Sequence, residues 1–312
     1  MSSKATVDEG TAPCDCVMRV QIGDICCSLR CHDRDVFGSW KQLYSDFQSD
    51  NPADISVDLE VVDRLSSAEV EAALLQTRIV PEGNRFVATD LTLESEFDTA
   101  NRALSMRVEK RLFDPALEFK LMNRLLSSAY YTACEAKYSG RLPAMLVHSC
   151  GIIRDGQALV FAAPCETGKT TIARLCGEEY GQVINDEMLL VSRPCQDNGP
   201  LRVQGVPIVG GFYQRLNATA PLSCVLLLKQ SKRTAVRRLD KMEAYLRFMR
   251  QIISPAYIGQ TDRRALFSLI AGFSDEVTSA TPFYELEFTL DREPLWEAVG
   301  ELERSLEKEE LT

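Results

Sequence analysis

The sequence predicts an α/β protein, in which a C-terminal α/β domain with a covered sheet is preceded by a smaller α+β N-terminal domain. Length is the first of three observations behind this, since 312 residues with 45% hydrophobic content can fill roughly two cores of ordinary size. The second is a set of apolar strand-like runs, Ala144 to Val147, Ala158 to Ala162, Val183-Ile184, Met188 to Val191 and Val225 to Leu228, alternating with glycine turns and helical stretches. The third is a change of pattern near residue 143, before which short alternating strands and one long helical repeat dominate. The expected organisation is a flexible tail over 1–15, an N-terminal α+β domain over 16–143 that ends in a long helix, and a second domain over 144–312.

Each element has a local reason. Val17 to Ile22 and Ile25 to Leu29 flank Gly23-Asp24, and glycine first in a two-residue loop suits a type II′ hairpin turn. Phe37 to Phe47 carries Trp40, Leu43, Tyr44 and Phe47 at helical spacing, whereas Ile55 to Val61 alternates like a half-buried strand, with further short strands through about residue 108. Pro115 to Tyr138 reads as one helix, because Leu117, Leu121, Leu125, Ala129 and Ala133 recur every four residues and Ser139-Gly140 and Pro143 end the run.

Charge and composition exclude several functions. A net charge of −10 argues against a nucleic-acid coat, which needs Lys and Arg in excess to meet phosphates. No apolar run approaches the roughly 18 residues of a membrane span, so no membrane partner is expected. Eleven cysteines are an odd count, and Met1-Ser2-Ser3-Lys4 leads into polar residues, so a reducing, cytoplasmic setting is expected. The cluster Cys14, Cys16, Cys26, Cys27, Cys31 and His32 lacks the paired spacing that grips a tetrahedral zinc, and reads as small hydrophobes.

The informative stretch runs from Ala158 to Leu175, where an apolar strand, the loop Ala163-Pro164-Cys165-Glu166-Thr167-Gly168-Lys169-Thr170 and then Thr171 at a helix start form a P-loop. Such a loop surrounds β and γ phosphates with backbone N–H groups and a helix N-terminus, while a lysine neutralises them and a hydroxyl holds magnesium. Lys169, at a solvent-open loop, and Thr170 fill those last two places. A bare Gly-Lys-Ser/Thr triplet arises by accident in on the order of one chain in ten at this length, so context decides. Here the strand ends at the loop, Ile172, Leu175 and Cys176 give the next helix a buried face, and the carboxylates Asp186-Glu187 follow Val183-Ile184 where a second strand would end. Ala163 replaces the first glycine, and Glu166 places a carboxylate within the cradle.

Met145-Leu-Val-His148-Ser-Cys-Gly151, the P-loop, Ile184-Asn185-Asp186-Glu187-Met188 and Gly205-Val-Pro207 together resemble the catalytic domain of HPr kinase/phosphorylase and its kinase-like relatives. The resemblance spans roughly residues 144 to 300, including Pro282 to Phe288 and Trp296. It implies an HPr kinase-like nucleotide-binding domain with a mixed sheet and a core shared with ATP-dependent phosphoenolpyruvate carboxykinase. It further implies an ATP- and Mg2+-dependent serine kinase acting on a protein or peptide, with a homo-oligomer expected by analogy. By the same resemblance Lys169 contacts phosphates, Thr170 binds magnesium, and the acidic pair is Asp186-Glu187, or Asn185-Asp186 if the register slips by one. One member of that pair acts as base and the other helps hold metal, with His148 beside them. A small-molecule kinase and a degenerate, non-catalytic nucleotide-binding adaptor are the alternatives, the second suggested by Glu166 and Asn185.

Two further features keep two readings each. The basic stretch Lys229, Lys232, Arg233, Arg237, Arg238, Lys241, Arg247 and Arg250 is a solvated edge or a docking surface for an acidic partner. Gly205 to Phe212 is a loop that approaches substrate or a turn between strands.

Overall fold

Alternating apolar residues and one glycine turn build the N-terminal sheet. Strands β1 (Cys16–Ile22) and β2 (Ile25–Cys31) pair from Cys16↔Cys31 to Ile22↔Ile25. Gly23 has φ +61 whereas Asp24 has no positive φ, as a type II′ turn requires. The computed structural model describes residues 16–64, 78–82, 85–90, 93–98, 101–110, 115–138, 142–193, 199–212, 214–253 and 263–310, so the expected tail, Cys14 and the Ser139-Gly140 stop lie outside the described residues.

Helix α1 (Arg34–Leu43) begins three residues before the apolar spacing does, because the Asp33 carboxylate accepts the Asp35 and Val36 N–H groups. A 3-10 turn over Ser45–Phe47 then carries Phe47 into the core. Strands β3 (Ile55–Val62), β4 (Arg78–Glu82), β5 (Arg85–Asp90), β6 (Leu93–Asp98) and β7 (Ala103–Glu109) complete a seven-stranded sheet of order β1-β2-β3-β7-β6-β5-β4. β3 runs parallel to both β2 and β7, and the other pairs are antiparallel.

Helix α2 (Pro115–Tyr138) has the span its sequence repeat predicts, and Leu125, Ala129 and Ala133 are buried; the side chains of Leu117 and Leu121 lie outside the described residues. Its apolar face joins both sheets in one continuous core that includes Val57, Leu126, Leu146 and Val225.

The second sheet contains β8 (Ala144–Arg154), β9 (Gln157–Ala162), β10 (Gln182–Asn185), β11 (Met188–Ser192), β12 (Arg202–Gly205), β13 (Thr219–Gln230), β14 (Ala235–Arg238) and β15 (Phe283–Phe288). β9, β13 and β15 run parallel while the remaining pairs are antiparallel, and the ladders β8-β9-β13-β12-β11-β8 close on themselves. The molecule is thus mixed α/β with two mixed sheets. Period-two alternation separates the faces. Leu159, Phe161, Leu226 and Leu228 point to a layer made by α3 (Lys169–Cys176) and α6 (Arg292–Glu310), while Val160 and Leu227 point to the core shared with α2, α4 (Lys241–Phe248) and α5 (Arg263–Ala280).

Much of the basic stretch is neutralised in place. Lys229 and Arg233 pair with Glu287, Arg237 and Arg247 with Glu243 and Glu285, and Lys241 with Asp275. That arrangement fits a solvated, charge-paired sheet edge. Among the described residues the cysteines are free thiols, and no helix is long and apolar enough to cross a membrane.

Candidate active site

The loop from Ala163 to Gly168, the candidate phosphate loop, lies where β9 ends against α3. Its backbone turns on two left-handed residues, Glu166 at φ +63 and Gly168 at φ +119. Such residues aim successive N–H groups to one side, which suits an anion. Gly168 is needed for space as well, since a Cβ there would stand 2.5 Å from Phe288 Cζ. Gln230, at the end of β13, donates its side-chain amide to the carbonyls of Glu166 and Thr167 at 3.3 and 3.4 Å. At its far end α3 is held by α6, where Arg292 donates to the carbonyls of Leu175 and Cys176 and Trp296 Nε1 donates to that of Leu175 at 2.7 Å.

Within the loop Ala163 is buried, Pro164, Cys165 and Glu166 are exposed, and Thr167, Gly168, Thr170 and Thr171 are half-buried. Lys169 departs from the expected solvent-open placement. It is only 5% exposed, and its ammonium folds back to donate to the carbonyls of Ala163 at 2.9 Å and Pro164 at 3.0 Å. A buried cation needs acceptors, and the loop's own carbonyls supply two. Burial lowers its pKa, against the pull of Glu187, Cys165, Cys150 and Asp186.

Glu166 is the least cradle-like residue by type, yet its side chain is exposed. A left-handed φ costs a non-glycine residue about 1 kcal/mol, so Glu166→Gly is expected to stabilise the fold by about that much in denaturant titration. Nucleotide affinity should change by less than about tenfold in calorimetry, and a hundredfold gain would show that the carboxylate opposes phosphate.

The acidic pair follows the end of β10, as its position after Val183-Ile184 suggests, and occupies the two-residue bend before β11. Asn185↔Gly151 and Met188↔His148 keep one register along β8 across the bend, and the Ser149 N–H donates to the Glu187 carbonyl at 3.2 Å. Asn185 makes the local bend, since its Oδ1 accepts the N–H groups of Glu187 and Met188 at 2.7 and 3.0 Å and its Nδ2 donates to the carbonyls of Val206 and Ile208. All four bonding capacities of its amide are thereby used, leaving Asp186 and Glu187 as the carboxylates beside the loop.

Asp186 is fully buried. Its Oδ2 accepts the Thr170 hydroxyl at 2.7 Å and the Phe212 N–H at 2.9 Å, while Oδ1 has no hydrogen-bond partner among the described residues. Burial raises its pKa, the two hydrogen bonds oppose that, and Glu187 adds to the rise. Glu187 is half-buried, with Oε1 3.7 Å from His148 Nε2. Lys169, Thr170, Asp186, Glu187 and His148 are therefore gathered around one loop, with Lys169 turned inward.

Sequence reasoning left open what 205–212 does. In the structure this segment lies against Asp186: a Cβ on Gly210 would overlap Asp186 Oδ1, and one on Gly211 would come within 3.5 Å of Thr170. Gly210→Ala should displace the carboxylate and lower turnover by about a hundredfold, the effect of an ångström-scale misplacement, as read from kcat. Gln230 and Phe288 also shape the loop, and nothing in the sequence distinguishes them from ordinary strand residues.

No family model matches this chain, and no curated protein matches it. Among solved structures, the HPr(Ser) kinase/phosphatase from Coxiella burnetii is similar over 52% of this chain and 98% of that chain, at 11% identity and a TM-score of 0.30. The likeness is a distant one.

Proposed function

We propose that this chain is an ATP- and magnesium-dependent phosphotransferase of the HPr kinase-like class, moving the γ-phosphoryl group to a hydroxyl, a serine of a protein or peptide. Residues 144–312 form its nucleotide-binding domain. The observation that carries this reading is Asp186, a fully buried carboxylate anchored by Thr170 and Phe212 on one oxygen and, among the described residues, unpartnered on the other. A buried acceptor without a partner is costly, and it marks a group that completes its bonding with a cation or an incoming proton.

The residues fit magnesium. Thr170, whose hydroxyl Asp186 Oδ2 orients, and Glu187, the other member of the pair, are hard oxygen donors beside the loop, and magnesium takes few protein ligands because phosphate oxygens and water supply the rest. When bound, the ion neutralises charge on the β and γ phosphates.

The steps for this chain's own groups follow. Loop N–H groups and the start of α3 receive the phosphates, and Lys169 exchanges the carbonyls of Ala163 and Pro164 for phosphate oxygens. Asp186 accepts the proton of the acceptor hydroxyl as the new O–P bond forms and the bond from γ-phosphorus to the bridging oxygen breaks, releasing ADP. His148 and Glu187, paired at the half-buried margin, orient the acceptor side. Binding alone requires no base, so Asp186 and the His148–Glu187 pair favour catalysis over a nucleotide adaptor.

Incubation with ATP, magnesium and serine-containing peptides, followed by mass spectrometry, tests this. The expected product is a phosphoserine peptide whose formation is lost in Asp186→Asn. Tight nucleotide binding without transfer to any peptide, protein or metabolite would favour the adaptor.

A further inference from the structure

The segment that supplies the Phe212 N–H to Asp186 is gripped from the N-terminal half of the chain. Asn123, on α2, makes both hydrogen bonds of a strand partner to one residue. Its Nδ2 donates to the Val209 carbonyl at 2.8 Å, and its Oδ1 accepts the Val209 N–H at 2.9 Å. Helix α2 is itself fixed to the second sheet, since the Tyr131 hydroxyl donates to the Ile253 carbonyl at 2.5 Å and accepts the Leu146 N–H at 3.0 Å. Farther along the same segment, Arg215 donates to the Leu43 carbonyl at the end of α1.

The order of contacts matters. Asn185, next to Asp186, holds Val206 and Ile208; Asn123 holds Val209; Gly210 and Gly211 then touch Asp186 and Thr170; and Phe212 donates to Asp186 Oδ2. Two adjacent glycines give the chain many conformations, so the place of the Phe212 N–H depends on how firmly Val209 is held. We infer that Asn123 is a positioning residue: by clamping Val209 it sets the glycine segment against Asp186, and so links the N-terminal half of the chain to the geometry of the carboxylate. Its catalytic consequence rests on the phosphotransferase reading, whereas the clamp on the Phe212–Asp186 bond does not.

Amide hydrogen exchange in the full chain tests the clamp without reference to activity. In Asn123→Ala the Phe212 amide should exchange about tenfold faster, one hydrogen bond's worth, while the amides of Leu189 and Leu227 in the sheet keep their rates. An unchanged Phe212 rate, or a rise matched by Leu189 and Leu227, would overturn the inference. Should Asn123→Ala fail to fold, Asn123→Asp keeps the acceptor for the Val209 N–H and loses the donor; it should raise Phe212 exchange selectively, and an unchanged rate would again overturn the clamp.

Kinetics provide the second readout. Asn123→Ala should lower kcat about tenfold with KM for nucleotide largely unchanged, and should cause no further loss in an Asp186→Asn background. An equal loss in both backgrounds would mean that Asn123 does not act through Asp186. A wild-type chain that transfers no phosphate would remove the phosphotransferase reading and leave the exchange result to decide the clamp.

Discussion

Lys169→Met is expected to weaken binding of magnesium-ATP by about a thousandfold while leaving the fold nearly as stable as before. A lysine ammonium about 4 Å from a phosphate charge contributes on the order of 4 kcal/mol at an effective dielectric near 20, which corresponds to that factor. Methionine retains the apolar length of the stem. Its stability effect balances two opposed changes: the hydrogen bonds to the Ala163 and Pro164 carbonyls are lost, and a buried charge is removed. A net change within about 1 kcal/mol is expected. Calorimetric titration checks the first part and denaturant unfolding the second. Unchanged affinity would remove the phosphate-loop assignment, whereas unfolding of the variant would make Lys169 a structural residue.

Asp186→Asn has the second large effect, and its two consequences point in opposite directions. Turnover should fall by two to four orders of magnitude, the range for loss of a general base. The nucleotide-free protein should become more stable by about 1 kcal/mol at neutral pH, since the change removes a buried charge and retains an oxygen for Thr170 and Phe212. The pH dependence follows from the direction of the shift. The folded Asp186 carboxyl titrates above its ordinary value, so the fold loses stability as pH rises from the ordinary carboxyl value through the raised one, and the penalty is complete above it. Below the ordinary carboxyl value, about 4, both states are protonated and the penalty disappears. The stability advantage of Asp186→Asn should therefore be present at neutral pH and vanish on acidification. A variant less stable than the wild type at pH 7 would show that the charge is already compensated.

What the sequence discloses about this site depends on the range of the interactions involved. Pro115 to Tyr138 and the hairpin at Gly23-Asp24 are legible because a repeat or a turn residue determines each locally. The loop from Ala163 to Thr170 is legible for the same reason. Asp186 is legible as a residue after a strand end but not as a geometry, because the shape of the bend between β10 and β11 depends on the register with β8 and on the Asn185 side chain. The inward turn of Lys169 reflects burial that the whole fold imposes. Asn123 lies 86 residues from Val209, and Gln230 lies 64 and 63 from the loop carbonyls it holds, separations at which local pattern carries no information.

Titration of a non-hydrolysable ATP analogue into the wild type, Lys169→Met and Asp186→Asn, with and without magnesium, tests most directly whether this loop and carboxylate form one nucleotide-metal site. Magnesium-dependent binding to the wild type is expected, with none to Lys169→Met at the same concentrations and binding to Asp186→Asn that has lost most of its magnesium dependence. Equal heats for all three proteins, or no binding by the wild type, would contradict a single nucleotide-metal site.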